Sequence, residues 1–374
     1  MEKNPLLEVR DEIDAIDKEL LPLFIARMKC SEKVAKIKIE KGIPVLNAVR
    51  EQEIIEQIRL RAGNYGTVSA SIYASIMALS RQLQQEMMGE NENYFSKLIE
   101  NSSHDIPKNA KILCQGVQGA YSHKAALEIF KDGNISFCPK FENVFTGIEN
   151  GEFDFGVIPV ENSAAGSVNE TYSLIMQYRY YIVSAIKLSV NHCLAAKKGS
   201  IIRTVISHPQ ALMQCGDYIS QNSFERKEFS NTAAAAEFVS KSEDENIAAI
   251  CSKEAAEKYG LEILKEGIQD DKNNHTRFAV ISKNPILTND ADKISLCFSL
   301  PHETGSLFTV LQRFSLAGLN LSKIESRPIK GSNFNYDFYL DFQGNIVEKQ
   351  VSVLLSQLKD ELIRFDFLGN YKEL

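Results

Sequence analysis

Apolar residues recur three and four positions apart at Leu6, Val9, Ile13, Ile16, Leu20 and Leu23, and again at Cys30, Val34 and Ile37. Only Arg27 breaks the series. This spacing predicts one long amphipathic helix from about residue 5 to residue 40, roughly 50 Å long at 1.5 Å per residue. Two shorter helices are predicted near residues 48–62 and 69–88. Helices so unequal in length cannot cover the long one's apolar stripe within one chain, so a second copy is expected and with it a homodimer. Pro22 inside the long helix is expected to cost about 3 kcal/mol and to bend the axis near Leu21. Arg27 poses a sharper constraint, because a charge on a buried stripe must be paired or must bind an anion.

Other polar groups gather on the same helices. Arg10 and Lys38 flank the stripe, Arg50 and Glu51 open the second helix, and Ser80 and Gln84 project side by side from the third. Such a set of donors suits a small dicarboxylate with an ether or hydroxyl oxygen. Equally, Arg10 and Lys38 read as solvated edges of a helical pair, and Asn47 as a helix N-cap. The net charge of −7 argues against nonspecific nucleic-acid binding, and it requires that any anion site concentrate positive charge against the global sign.

The chain of 374 residues is too long for one ordinary domain. Residues 1–90 read as all-helical and residues 91–108 as a polar linker with at most one helical turn. Residues 109–285 alternate strand-like runs (111–115, 155–158, 204–206, 247–250, 278–281) with helical ones, an α/β pattern of one domain or two lobes. Ser207 reads as an N-cap with Pro209 near the first helical position. Residues 293–374 read strand, helix, strand, strand, helix, strand, the ferredoxin-like α+β order. No run approaches the roughly 20 apolar residues of a membrane span, and the first residues lack the apolar core of a secretory signal. The seven scattered cysteines form no CxxC pair. A cytoplasmic location is expected, with no metal and no cofactor, since neither HExxH, GxGxxG nor a Walker lysine occurs.

Motifs sharpen these readings. The runs NPLLEVRDEIDAID, KIKIEKGIPV, VREQEI and LSRQLQQ resemble the all-helical chorismate mutase family over residues 4–88. That resemblance implies an interlocked dimer in which Arg10 reaches the partner's site, Arg27 and Arg50 clamp carboxylates, and Lys38 and Gln84 donate to the ether oxygen. Glu51 would hold the substrate hydroxyl and Ser80 line the pocket, while Asn47 departs from the family's usual acid. GAYS, IPVENSAAGSV, SHPQALMQC and NHTRFAVIS resemble prephenate dehydratase over residues 110–282. This implies two lobes like a type II periplasmic-binding protein, with Thr276 the main catalytic residue. Arg277 and Phe278 complete its motif, and Glu161, Asn162, Ser207 and Gln214 line the cleft, with His208 and His275 near it. HETGSLFTVLQRF and LNLSKIESRP resemble the ACT regulatory domain. It implies phenylalanine bound between two such domains by Gly305, Ser306, Leu307, Asn320, Glu325, Ser326 and Arg327, followed by Pro328; a serine replaces the usual alanine at 306.

The expected whole is a bifunctional enzyme that rearranges chorismate to prephenate, dehydrates prephenate to phenylpyruvate and responds to phenylalanine. Alternatives are a dehydratase (of prephenate or arogenate) whose helical end only dimerises, and a noncatalytic ACT-linked sensor.

Overall fold

The helical prediction holds nearly to the residue. In the computed structural model, which describes residues 5–88, 94–303, 305–329 and 336–374, α1 runs Pro5–Lys41, α2 Ala48–Arg61 and α3 Gly66–Met88. Pro22 lies inside α1 without ending it. Helix α3 packs against α1 and against α2. The apolar stripe of α1 stays uncovered, with Ile16 64% and Leu23 68% exposed, while Ser31 and Ala35 are its buried residues. Residues 91–93 of the expected linker lie outside the described residues. The next eight form α4 (Tyr94–Asn101), longer than the single turn expected. Phe95 explains the extra length: it is fully buried, edge-on to Phe365 with ring centroids 6.3 Å apart.

The α/β region continues with β1 (Lys111–Gln115), α5 (Tyr121–Ile129), β2 (Asn134–Cys138), α6 (Phe141–Glu149), β3 (Phe155–Asn162), β4 (Gly166–Ser167), α7 (Asn169–Tyr178) and β5 (Tyr181–Ser189). Then come β6 (Cys193–Ala196), β7 (Thr204–Ser207), α8 (Pro209–Gln214), α9 (Gly216–Gln221), β8 (Glu225–Glu228), α10 (Thr232–Lys241), β9 (Ile247–Cys251), α11 (Lys253–Lys258), β10 (Glu262–Glu266) and β11 (His275–Ser282). They build two sheets, one ordered β2-β1-β3-β11-β5 with β4 beside β3, the other β10-β6-β9-β7-β8. The chain passes from the first to the second after β5 and returns before β11, so two short crossings join two lobes. Each lobe has its own core: Ile112, Val157, Phe278 and Val280 in the first, Leu194, Val205, Ile206 and Ile250 in the second.

The last segment gives β12 (Lys293–Ser299), α12 (Ser306–Leu316), β13 (Leu321–Pro328), β14 (Tyr336–Gln343), α13 (Lys349–Glu361) and β15 (Arg364–Tyr371). Asn335, the first residue of one predicted strand, lies outside the described residues. The sheet order β13-β14-β12-β15 is that of the ferredoxin-like split motif.

By contacts the chain divides into two compact units. One holds residues up to Asn101 together with Cys297–Asp366; the other holds Ser102–Leu296 and Phe367–Leu374. In the second unit, residues 372–374 run along β5. Ala185 N donates to Lys372 O at 3.1 Å, and Leu374 N donates to Ala185 O at 2.8 Å. Gly369 (φ +147°) makes the approach possible, because a Cβ there would stand 2.0 Å from Ile182 O. Among the described residues, no helix is long and apolar enough to cross a membrane.

Candidate active and regulatory sites

On the helical end, side chains from three elements meet. Arg27 Nη1 donates to Ser80 Oγ at 2.7 Å, tying α1 to α3. Lys38 Nζ donates to Val45 O at 2.5 Å; partial burial lowers its pKa, and Glu51 opposes that shift. Glu51 pairs with Arg81, a buried arginine of α3. Gln84 is buried, its Nε2 donating to Ser80 O at 3.0 Å, while its Oε1 has no partner among the described residues. Arg10 and Arg50 are exposed, Arg50 within 3.3 Å of Glu53. The structure thus gathers Arg27, Lys38, Glu51, Ser80 and Gln84 and leaves Arg50 exposed, while Arg10 stands 17 residues before Arg27 on α1, roughly 25 Å along the helix axis. Asn47 is the N-cap of α2, accepting from Arg50 N at 3.0 Å. Sequence reasoning missed Arg81. Its signal was present in LSRQLQQ, since Arg81 stands three residues from Gln84 and therefore shares its helix face.

In the two-lobed region, an unbroken polar network crosses from one lobe to the other. Asn162 on β3 donates through Nδ2 to Thr276 Oγ1 at 2.9 Å and to Asn274 Oδ1 at 2.8 Å. Its Oδ1 accepts from Ala164 N, Ala165 N and, at 3.4 Å, Gln214 Nε2 of the other lobe. Gln214 Oε1 in turn lies 3.2 Å from His192 Nε2. Burial lowers the His192 pKa against the pull of Gln214, so its imidazole is neutral at pH 7. His192 also borders a pocket of about 420 Å³, together with Tyr121, Asn191 and Lys253. The Gly turn before α5 brings the lobes together: Ser252 Oγ donates to Gly119 O at 3.2 Å, and a Cβ on Gly119 (φ +93°) would meet Ala255 at 3.3 Å.

Several expected residues sit elsewhere. Ser207 does not cap α8: β7 extends through it, it is fully buried, and its hydroxyl donates to Ile250 O at 2.6 Å. His208 is the cap instead, its Nδ1 accepting from Gln210 N at 3.2 Å. Phe278 is 3% exposed and packs in the first lobe's core. Arg277 follows Thr276 on β11 and so points to the opposite face. It is buried, 2.7 Å from Glu373 Oε1 and 3.8 Å from Glu161 Oε2, and it donates to Tyr371 Oη. Arg277 and Glu161 are therefore partners of each other. Burial alone would raise the Glu373 carboxyl, but Lys187, Lys293 and Arg277 outweigh it and hold the pKa at about 2. His275 is exposed, with Nδ1 2.7 Å from Asn273 O. His192 and Asn274 were not anticipated as site residues; Asn274 stands in the quoted NHTRF run, whereas nothing local marks His192.

In the ferredoxin-like segment, Gly305 (φ +88°) caps α12, and Ser306 Oγ donates to Glu303 O at 3.0 Å. Ser306 and Leu307 line an open pocket of about 110 Å³ with Leu300, Glu303 and Tyr336. Glu325 and Arg327 alternate with Ser326 along β13. Arg327 Nε donates to Glu325 at 3.0 Å, and its guanidinium lies 4.8 Å from the Tyr339 ring centre, while Ser326 is exposed. Asn320 Nδ2 donates to Gln343 Oε1 at 3.4 Å.

Comparison with known proteins matches residues 9–85 to the family model for chorismate mutase type II and residues 112–286 to that for prephenate dehydratase. The bifunctional chorismate mutase/prephenate dehydratase of Aquifex aeolicus is 34% identical over 372 residues, covering 98% of this chain and 97% of that protein. Arogenate dehydratase/prephenate dehydratase 1 of Arabidopsis thaliana is 39% identical over 289 residues, covering 72% of this chain and 74% of its own length. The structure of prephenate dehydratase from Arthrobacter aurescens in complex with L-Phe superposes with a TM-score of 0.65 at 28% identity, over 70% of this chain and 89% of that one.

Proposed function

This chain belongs to the bifunctional chorismate mutase/prephenate dehydratase family, and from that premise we propose how its parts divide the work. The helical end rearranges chorismate to prephenate. The two-lobed region converts prephenate to phenylpyruvate, carbon dioxide and water. The observation that carries this reading is the pairing, in one chain, of a helical cluster built around Arg27, Lys38 and Gln84 and an amide–hydroxyl network around Thr276.

The first reaction is pericyclic and needs neither base nor nucleophile. It needs a clamped conformer and donors to the ether oxygen as negative charge grows there. Arg27 and Arg50 take the carboxylates, Lys38 and Gln84 face the ether oxygen, and Glu51 takes the hydroxyl. A second copy covers the exposed stripe of α1 and supplies Arg10, making a homodimer. In the second reaction, loss of carbon dioxide leaves an electron pair that completes the ring as hydroxide departs and is protonated to water. Thr276 Oγ1 already accepts from Asn162, which leaves its own proton to donate to the departing oxygen. Arg277 holds Glu373 and keeps β11 in place rather than gripping substrate.

Phenylalanine closes the regulatory arrangement by pairing two ACT segments. The pocket at Ser306 is well under the roughly 300 Å³ of a typical small-molecule site, as half of a shared site should be.

Purified protein incubated with chorismate should yield prephenate and then phenylpyruvate, the second step slowing when phenylalanine is added. Untouched chorismate alongside dehydrated prephenate would leave the helical end as a dimerisation device. Arogenate consumed faster than prephenate would reassign the substrate.

A further inference from the structure

The cluster described above contains a residue with no assigned role: Arg81, 7% exposed, which faces two carboxylates from two different parts of the first unit. Its Nη1 pairs with Glu51 Oε2 at the head of α2. Its Nε lies 3.4 Å from Glu361 Oε1, at the end of α13 in the ACT segment. Glu361 Oε2 is taken by Arg313 of α12, the helix that begins at the Gly305 turn. The four groups form an alternating series of negative and positive side chains, with Arg81, Glu361 and Arg313 all nearly withdrawn from solvent. A second tie runs parallel to it, where Gln312 Nε2 of α12 donates to Ser75 Oγ of α3 at 2.7 Å.

We infer that Arg81 is a positioning residue of the mutase site: braced from the ACT segment by Glu361, it fixes Glu51 so that the second carboxylate oxygen faces the substrate hydroxyl. The inference rests on the assignment of Glu51 above. Geometry and charge both lead to it. Arg81 occupies Oε2, so Oε1 is left to accept from a ligand. A carboxylate gripped through one oxygen by a buried guanidinium keeps one orientation. Without Glu361, the guanidinium would have one anion instead of two and would be free to pivot about Glu51. The helical segment thus depends on the ACT segment for the aim of one binding group.

The test uses the full chain, with prephenate turnover as an internal control. Arg81→Gln should raise the KM for chorismate by about tenfold, the scale of one charge-assisted hydrogen bond, with kcat falling less. Arg81→Lys should recover part of that loss. Glu361→Gln, which touches no expected substrate contact, should shift KM in the same direction by about threefold, and the KM for prephenate should stay fixed in every variant. A chorismate KM unchanged in Arg81→Gln and Glu361→Gln, or a kcat that falls only with the folded fraction, overturns the inference. If Arg81→Gln does not fold, Glu361→Gln decides by the same criterion. A wild-type chain that leaves chorismate untouched removes the functional reading and this inference together, whereas wild-type turnover with unmoved KM removes the inference alone.

Discussion

The helical end and the two-lobed region handle polar groups in opposite ways. The first leaves Arg10, Arg50 and much of its apolar stripe in water. The second closes a hydrogen-bonded path from Thr276 through Asn162 and Gln214 to His192 inside one chain. An interlobe site can be completed by one copy because its two crossings bring both halves together. In the dimer proposed above, the site on the long helix draws on another molecule. The contrast teaches that the two activities should differ in how they depend on protein concentration.

The largest effect should come from breaking the stripe. Ile16→Glu, which puts a charge where a second copy is expected to pack, should abolish chorismate turnover at low protein concentration and leave prephenate turnover nearly intact. Equal loss of both activities would end the comparison. Next, Thr276→Ala should lower dehydratase kcat by about 10²–10³-fold, the usual value of one transition-state donor, with chorismate rearrangement unaffected. Glu373→Gln should then destabilise the two-lobed unit by about 3 kcal/mol at neutral pH, because Arg277 and Lys293 lose their shared anion. Its pKa of about 2 lies below the ordinary 4.5, so the carboxylate's contribution is complete above about pH 4.5 and is lost as pH falls toward 2. Urea unfolding of the wild type and the variant across that window measures it, the two curves converging in acid. The smallest effect should be Asn47→Ala, which removes the cap of α2 and should cost about 1 kcal/mol by thermal unfolding. A loss of chorismate turnover far beyond that would make Asn47 a substrate contact.

The same contrast explains what could be read from sequence. The 3-4 stripe states the helical end almost completely, because every third or fourth residue repeats one signal. Strand β8 (Glu225–Glu228) is exposed and polar throughout, so no alternation could reveal it. Ser207 was misplaced by a single residue, since whether a serine ends a strand or caps a helix depends on β9 beside it, whose Ile250 carbonyl it reaches. The TRF motif marked Thr276, but it could not show that Arg277 turns away to meet Glu373, a partner remote in sequence. Arg81 stayed hidden for a related reason: an arginine among glutamines on a helix is ordinarily solvated, and its partner Glu361 lies in the ferredoxin-like segment, remote in sequence.

The short run at residues 372–374 has a consequence for biosynthesis. It completes the hydrogen bonding of β5 beside the strand bearing Thr276, yet it leaves the ribosome only after the whole ferredoxin-like segment has been made. The lobe that holds Thr276 must therefore wait, with one sheet edge open, until translation has passed Glu373. Nascent chains stalled before that point should be the ones that chaperones hold longest and proteases cut first.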